Sequence, residues 1–154
     1  MGNSRPVGLA GIGCKVNSRH RARRLVLQAL CCLDAQGPGA WKLIERFIRD
    51  SDEASIVVDG AIRMLAEAFD DRPACDTMLA RHARRWELPR LALVDRNILR
   101  LATHELRLGE TPFKVVISES LRLAREFSSA DSSRFVNGVL DAIAKEIQEE
   151  AIGK

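Results

Sequence analysis

Residues 89–108 read PRLALVDRNILRLATHELRL, the most strongly amphipathic stretch of the chain. Its apolar side chains return every three or four residues, which is the spacing of one face of an α-helix. Pro89 stands at a position where the first turn of a helix tolerates proline, and Gly109 follows where helices commonly end. The stretch therefore predicts an amphipathic helix from Pro89 to Leu108 that packs one face against other helices.

The segments on either side show the same helical periodicity. We predict six further helices, over residues 18–33, 40–49, 52–69, 74–86 and 112–127 and from about residue 131 onward. Thr111 is expected to cap the sixth helix, and Asp131 or Ser132 the seventh. Because the connections are short and no segment reads as a strand, we expect an all-α bundle of seven helices. In this interpretation residues 18–150 form one domain, and the Gly-rich residues 1–17 form a flexible tail.

The composition of the 154 residues agrees with a helical globular protein. Hydrophobic residues make up 46% of the chain but aromatic residues only 5%, with no tyrosine, which disfavours a β-sandwich or barrel. No apolar run reaches the roughly 18 residues of a membrane-spanning helix. The four cysteines lack Cys-x-x-Cys spacing, and the N-terminus lacks the apolar stretch of a signal peptide. We therefore expect a cytoplasmic protein without disulfides, a metal site or a cofactor.

The first predicted helix carries a cationic stripe. Residues 1–33 hold a net charge of +6 and no carboxylate, whereas the rest of the chain has a net charge of −3. At about 100° per residue, one apolar arc of the helix holds Leu25, Val26, Ala29, Leu30, Cys32 and Leu33, and the opposite arc holds His20, Arg21, Arg24, Gln28 and Cys31. With no carboxylate on this helix to neutralise them, the arginines are expected to bind RNA or DNA phosphates and to lower the pKa of Cys31. A solvated basic face without a ligand is the alternative interpretation.

Two carboxylates interrupt the apolar face of residues 89–108. Glu105 lies among apolar residues, so we predict that it is held in a structural ion pair or hydrogen bond. Asp95 lies nearer the edge of that face, and it is either structural or directed at a protein partner. The three histidines follow no metal-ligand spacing, and no nucleophile motif, phosphate loop or dinucleotide fingerprint occurs. We therefore expect a protein that is not an enzyme.

Four segments resemble motifs of one known family, in the same order and at similar spacing. Residues 135–141 (FVNGVLD) match a C-terminal signature of that family. Residues 94–106 (VDRNILRLATHEL) and 112–120 (PFKVVISES) are similar to two upstream motifs, and residues 21–30 (RARRLVLQAL) to the family's first helix. The resemblance covers roughly residues 18–147, and it is to the NusB family of transcription antitermination factors.

The resemblance implies an all-helical fold of two packed three-helix subdomains plus one further helix. It also implies binding of single-stranded boxA-type RNA together with NusE, a small-subunit ribosomal protein. The pair acts in the RNA polymerase antitermination complex that supports ribosomal RNA transcription, and some family members are homodimers that hide the RNA surface. Carried over to this sequence, with Arg24 added from the cationic stripe, the implied RNA contacts are Arg19, His20, Arg21, Arg23, Arg24, Gln28, Cys31, Asp131, Ser132, Arg134 and Phe135.

The sequence departs from the family pattern at two aromatic positions. Cys31 replaces a tyrosine, which removes a ring suited to stacking on a base, and His104 replaces another tyrosine just before Glu105. The periodicity of the last helix also favours inward packing of Phe135 over stacking on RNA. Two other functions stay open: a helical protein–protein adaptor that does not bind RNA, and an RNA-binding module of a ribosomal RNA cytosine methyltransferase system.

Overall fold

The computed structural model describes residues 7–83 and 91–153, with residues 7–17 described by their backbone alone. These ranges form seven α-helices: α1 (Val7–Gln36), α2 (Trp41–Arg49), α3 (Ser55–Asp70), α4 (Arg72–His82), α5 (Leu93–Leu108), α6 (Phe113–Phe127) and α7 (Ala130–Ile152). A short 3-10 helix, Pro38–Ala40, lies between α1 and α2. The described ranges contain no strand, and none of their helices is long and apolar enough to cross a bilayer. The prediction of an all-α protein with seven helices is confirmed.

Three helix boundaries differ from the prediction by four residues or more. α1 begins at Val7, so the backbone of residues 7–17 is helical where the sequence suggests an aperiodic tail. No proline interrupts these residues, so a helix that is stabilised by packing further along can continue upstream. Residues 1–6 lie outside the described ranges, and the flexibility of the tail stays a prediction. α4 ends at His82 and α5 begins at Leu93, while Trp86 and Pro89, the ends that we predicted, lie outside the described ranges.

The turn between α5 and α6 ends one helix as predicted and begins the next one differently. Gly109 has φ 74°, in the left-handed region that favours glycine, and this confirms the predicted end of α5. Thr111 does not cap α6. Pro112 occupies the N-cap position instead, and the helix has no side-chain hydrogen bond at its N-cap. The fixed φ of proline suits the start of a helix and makes a side-chain cap dispensable here.

The buried apolar residues form two clusters that meet at α1 and α5. The first cluster is built mainly from α1, α2 and α3, and the second mainly from α4, α5, α6 and α7. Leu27 of α1 belongs to the second cluster, whereas Leu101 of α5 belongs to the first. This exchange makes α1 and α5 the shared wall between the two clusters. The arrangement agrees with the two subdomains and further helix that the family resemblance implies.

A buried ion pair joins α1 to α5 at this wall. Arg23 Nε donates to both carboxylate oxygens of Glu105 at 3.1 Å, and Arg23 Nη2 donates to Oε1 at 2.8 Å. The two side chains are only 5% and 8% exposed. The predicted structural pairing of Glu105 is therefore confirmed, and its partner is a residue that the resemblance implied for RNA contact. A bidentate pair at this depth fixes how α1 and α5 face each other.

A second polar junction ties the end of α1 to α5. Asp34 accepts hydrogen bonds from Arg96 at 2.7 Å, from Asn97 at 3.0 Å and from Arg100 at 3.0 Å. Arg100 also donates to both carboxylate oxygens of Asp76 on α4. Burial alone would raise the pKa of Asp34, but these hydrogen bonds and the charges of Arg100 and Arg96 hold that pKa below its usual range.

Loss of one member of the buried pair should cost much of the stability of the fold. Glu105→Ala is expected to lower the free energy of unfolding by about 3–5 kcal/mol, because it leaves a guanidinium buried without its counter-charge. The double variant Arg23→Met, Glu105→Leu should recover most of the loss, because it removes both charges and keeps the volume. Urea unfolding monitored by circular dichroism measures both effects. A Glu105→Ala variant as stable as the unaltered protein would contradict the burial of the pair.

Stability should also fall in acid because of Asp34. Its folded-state pKa lies below that of an unfolded aspartate, so the Asp34 junction contributes fully above about pH 4 and is lost as the pH falls through the folded-state value. In Asp34→Asn the free energy of unfolding is expected to fall less steeply as the pH decreases below about 4. Asp52→Asn, at an exposed aspartate, is the control and should leave that slope unchanged. If the stability of Asp34→Asn fell in acid as steeply as that of the unaltered protein, this junction would be ruled out as the cause of the loss.

Candidate nucleic-acid interface

The basic residues of α1 lie in three different surroundings. Arg21, Arg24, Gln28 and Cys32 are exposed or half-exposed on one side, which we call the outer face of α1. His20 and Arg23 are buried on other sides of the same helix. The sequence analysis placed His20 on the solvated arc and Cys32 on the apolar arc, and the structure reverses both assignments. Periodicity predicted the amphipathic character of α1, but its orientation depends on the helices that surround it on several sides.

Arg19 points to a different surface from the outer face of α1. It is exposed, and at about 100° per residue it lies roughly 160° around the helix from Arg21. There it lines a cavity of about 450 Å³ between α1, α3 and α5, together with residues such as Arg63 and Glu105. The structure therefore separates Arg19 from the other exposed arginines of the stripe.

Carboxylates from other helices oppose the cationic stripe. Arg24 Nη2 lies 2.7 Å from Glu126 Oε1 on α6, and Arg21 Nη1 lies 3.5 Å from Glu53 Oε2 in the loop before α3. His20 Nδ1 lies 2.8 Å from Glu119 Oε2, with its other ring nitrogen 3.9 Å from Glu126. The stripe is unopposed along α1 itself, as predicted, but it is largely neutralised in three dimensions.

The two carboxylates of α6 are functional neighbours that the sequence analysis missed. Glu119 and Glu126 are seven residues apart, so they lie on one side of α6, where both face α1. This i, i+7 spacing was a readable signal, but nothing in the sequence indicated that this side of α6 packs against the arginines. Glu119 therefore commits His20 to a contact inside the protein, as Glu105 of α5 does for Arg23.

Arg24 is the arginine that connects α1 to the end of α6. Its guanidinium carbon lies 5.7 Å from the ring centroid of Phe127, the last residue of that helix. Its Nε is buried and has no hydrogen-bond partner among the described residues. The side chain nevertheless remains partly open to solvent, with 43% of its surface exposed. Arg24 can therefore exchange Glu126 for another acceptor without leaving its place.

Cys31 lies in an environment opposite to the one predicted. The thiol is half-buried, and its sulfur donates toward the carbonyl oxygen of Leu93 at 4.0 Å. Burial raises the pKa of Cys31 to about 11, and the charges of Cys32 and Asp34 act in the same direction, against a smaller opposite effect of Arg96. The expectation of a lowered pKa is wrong, because no arginine of α1 reaches the thiol. Cys31 is a neutral thiol near pH 7, with no nucleophilic character.

The second predicted patch, at the start of α7, is organised by Asp95. Ser128 and Ser132 donate to the two carboxylate oxygens of Asp95 at 2.7 and 2.8 Å, and Ser129 accepts from the backbone N–H of Ser132 at 3.2 Å. Ser129 is thus the N-cap, in place of the predicted Asp131 or Ser132. Asp95 is only 8% exposed and accepts both hydroxyls, so of its two predicted roles the structure supports the structural one rather than contact with a protein partner.

The remaining predicted residues of this patch differ in exposure. Asp131 and Arg134 are exposed on the first turns of α7. Phe135 is half-buried and packs against the second apolar cluster, in agreement with the periodicity of the helix. Ser132 is half-buried, with its hydroxyl bonded to Asp95. The exposed polar groups at the start of α7 are therefore fewer than the sequence indicated.

Asp95 should be needed for the stability of the start of α7. Asp95→Ala is expected to lower the free energy of unfolding by about 2–3 kcal/mol, because two hydroxyls lose a charged acceptor. Asp131→Ala, an exposed residue of the same helix turn, is the matched control and should change stability by less than about 1 kcal/mol. Thermal unfolding together with hydrogen exchange at residues 128–134 measures both. Equal losses in the two variants would argue against the anchoring role of Asp95.

Comparisons with known proteins agree with this architecture. The family model described as "NusB family" matches residues 20–145. Transcription antitermination protein NusB of Solibacter usitatus (strain Ellin6076) is 43% identical over 141 residues, which is 86% of this chain and 92% of the relative. The protein of the same name from Koribacter versatilis (strain Ellin345) is 38% identical over 138 residues, 88% of this chain and 94% of the relative.

Solved structures give the same result. T. maritima NusB is 34% identical with a TM-score of 0.76, covering 83% of this chain and 91% of that one. A crystal structure of the antitermination factors NusB and NusE in complex with dsRNA contains a chain that is 25% identical, with a TM-score of 0.76, covering 84% of this chain and 98% of that one. Sequence motifs, helix order and these comparisons lead to one conclusion: the chain belongs to the NusB family.

Proposed function

We propose that this chain is an RNA-binding transcription antitermination factor that acts with NusE on single-stranded boxA-type RNA during ribosomal RNA transcription. Its relatives bear the name of antitermination proteins, which agrees with the expectation that the chain is not an enzyme. A similar solved structure holds NusB with NusE and dsRNA, which supports these two classes of partner. A cytoplasmic location, assembly with RNA polymerase and a homodimer stay predictions.

The observation that carries the proposal is the position of Arg24. Through its contacts with Glu126 and Phe127 it brings the outer face of α1 next to the end of α6, directly before the start of α7. The two patches that the family resemblance implies are thus neighbours on the folded chain. A single strand that contacts Arg21 and Arg24 can continue toward Arg134 on α7.

The chemistry available on this surface suits an RNA strand. Guanidinium groups bind phosphates and release counterions, and the exposed amide of Gln28 can bond to a base edge. The free N–H groups and dipole at the start of α7 also favour anions. Asp131 offers an acceptor for base amino groups. Our proposed contacts are Arg21, Arg24, Gln28, Asp131 and Arg134, whereas His20 and Arg23 are structural.

The phosphate contacts can be tested by their salt dependence. Arg21→Ala, Arg24→Ala is expected to weaken binding of a fluorescein-labelled boxA RNA and to lower the slope of log K against log[salt] by about 1.4, since each phosphate contact to single-stranded RNA contributes about 0.7. Arg63→Ala, an exposed arginine of α3, is the control. Fluorescence anisotropy over several salt concentrations measures the slope. An unchanged slope would reject the outer face of α1 as the phosphate site.

The carboxylate of Glu126 should oppose RNA binding. Because RNA must displace it from Arg24, Glu126→Gln is expected to tighten binding, by at most about fivefold for a half-exposed ion pair. Glu146→Gln is the control, since Glu146 pairs with Arg81 and His82 of α4, away from α1. The same anisotropy titration measures both variants. Weaker binding by Glu126→Gln would mean that this carboxylate supports the site.

The partnership with NusE has its own test. If this chain and NusE bind one RNA together, the complex should hold boxA RNA more tightly than the chain alone, because the second contact is intramolecular. Anisotropy titrations with and without purified NusE measure the gain. No gain would contradict the proposed cooperation. RNA binding that is absent under both conditions, with NusE still bound, would instead favour the protein–protein adaptor.

A further inference from the structure

α2 presents an apolar surface to solvent that the fold does not explain. Its inner face buries Ile44 and Ile48, yet Leu43 and Phe47, four residues apart on another side of the helix, are 68% and 67% exposed. Single exposed apolar side chains are common, but two large neighbours beside a groove indicate a binding surface. Neither side chain is needed to complete the core. The surface is therefore available to a ligand.

These side chains form one wall of a groove between α2 and the outer face of α1. The groove has a volume of about 180 Å³ and is lined mainly by apolar groups. The residues of α1 that line it are Leu25, Gln28, Ala29, Cys32 and Gln36. Sites for drug-sized ligands occupy roughly 300–1,000 Å³, so this groove suits one flat ring system.

The amides in the groove and the positive charges on α2 suit the base and the phosphate of a nucleotide. Gln28 and Gln36 bring amides, which can both donate to and accept from a base edge. Lys42 and Arg46 are exposed on α2, and neither side chain forms an ion pair or hydrogen bond with any residue that the structure describes. These two cations do not line the groove, but they lie on the same helix as the exposed ring of Phe47, and their charge favours a phosphate-bearing strand over a basic protein surface.

The groove is also continuous with the proposed RNA track. Gln28 belongs both to the groove and to the outer face of α1, where it lies two helical turns, about 10 Å, from Arg21. A strand that leaves Arg21 and Arg24 therefore reaches the groove without crossing another element. Position 31, where the family pattern has an aromatic ring, holds a half-buried cysteine, so α1 itself offers no stacking platform.

We propose that this groove receives one unstacked base of the RNA bound along α1, with the ring of Phe47 as its stacking platform and the amides of Gln28 and Gln36 at its edge. The inference rests on the proposed function, because it needs RNA on the outer face of α1. It adds α2 to the binding surface and places an aromatic contact where the first helix lacks one.

Affinity and salt dependence together test the groove. With fluorescein-labelled boxA RNA, Phe47→Ala is expected to raise Kd by roughly five- to 100-fold, since stacking of one base on an aromatic side chain is worth about that factor. The salt slope should stay unchanged, because no phosphate contact is lost. Phe47→Tyr should keep near-normal affinity. Ile56→Ala, which truncates an apolar residue of similar exposure (65%) on the other side of α1, is the matched control and should bind normally.

Abasic RNA identifies the contact directly. In a series of oligonucleotides with one base removed at a time, one position should weaken binding to the unaltered protein and have little further effect on Phe47→Ala. Normal RNA affinity of Phe47→Ala, with the Arg21 and Arg24 dependence intact, would overturn the groove and leave the proposed function standing. Normal RNA affinity with weaker NusE binding by calorimetry would make the groove a protein site instead. Absence of RNA binding by the unaltered chain would overturn both.

Discussion

The bidentate pair of Arg23 and Glu105 fixes one side of α1 against α5, together with the apolar residues of α1 that are buried around it. With Arg23 turned toward α5, the 100° step of the helix directs Arg21 and Gln28 away from the core. A different rotation of α1 about its axis would bury the residues proposed to meet RNA. The same arginine-rich sequence would then present another surface. Arg23 thus belongs to the cationic stripe in the sequence, but in the structure it helps to orient the other arginines of that stripe.

The arginines that do reach the surface are restrained by carboxylates from other parts of the chain. Glu126 and Glu53 form ion pairs with Arg24 and Arg21, so phosphate binding would exchange one anion for another. Such an exchange gains less from charge alone than binding to free arginines would. The surface then favours a ligand that makes additional contacts over any polyanion. This agrees with an RNA site that selects a particular single strand.

The sequence predicted those features that depend on local periodicity. Local sequence was enough to predict the seven helices, the end of α5 at Gly109 and the structural role of Glu105, because each is encoded within a few residues. The ion-pair partners could not be predicted, because Glu105 lies 82 residues from Arg23 and Glu119 lies 99 residues from His20. For the same reason the pKa of Cys31 was predicted with the wrong sign, since its burial comes from α5. The site could thus be located, but its buried and exposed members could not be separated.

The exchange of Leu27 and Leu101 between the two apolar clusters bears on how the protein matures during synthesis. α1 is translated first, yet one side of it stays uncovered until α5 has left the ribosome and Leu101 can enter the first cluster. Glu126 of α6, which pairs with Arg24, emerges later still. A nascent chain that ends before α5 therefore lacks the carboxylate partners of Arg23 and Arg24, and it displays both arginines next to abundant ribosomal RNA. Release from that non-specific attraction depends on the C-terminal half of the chain.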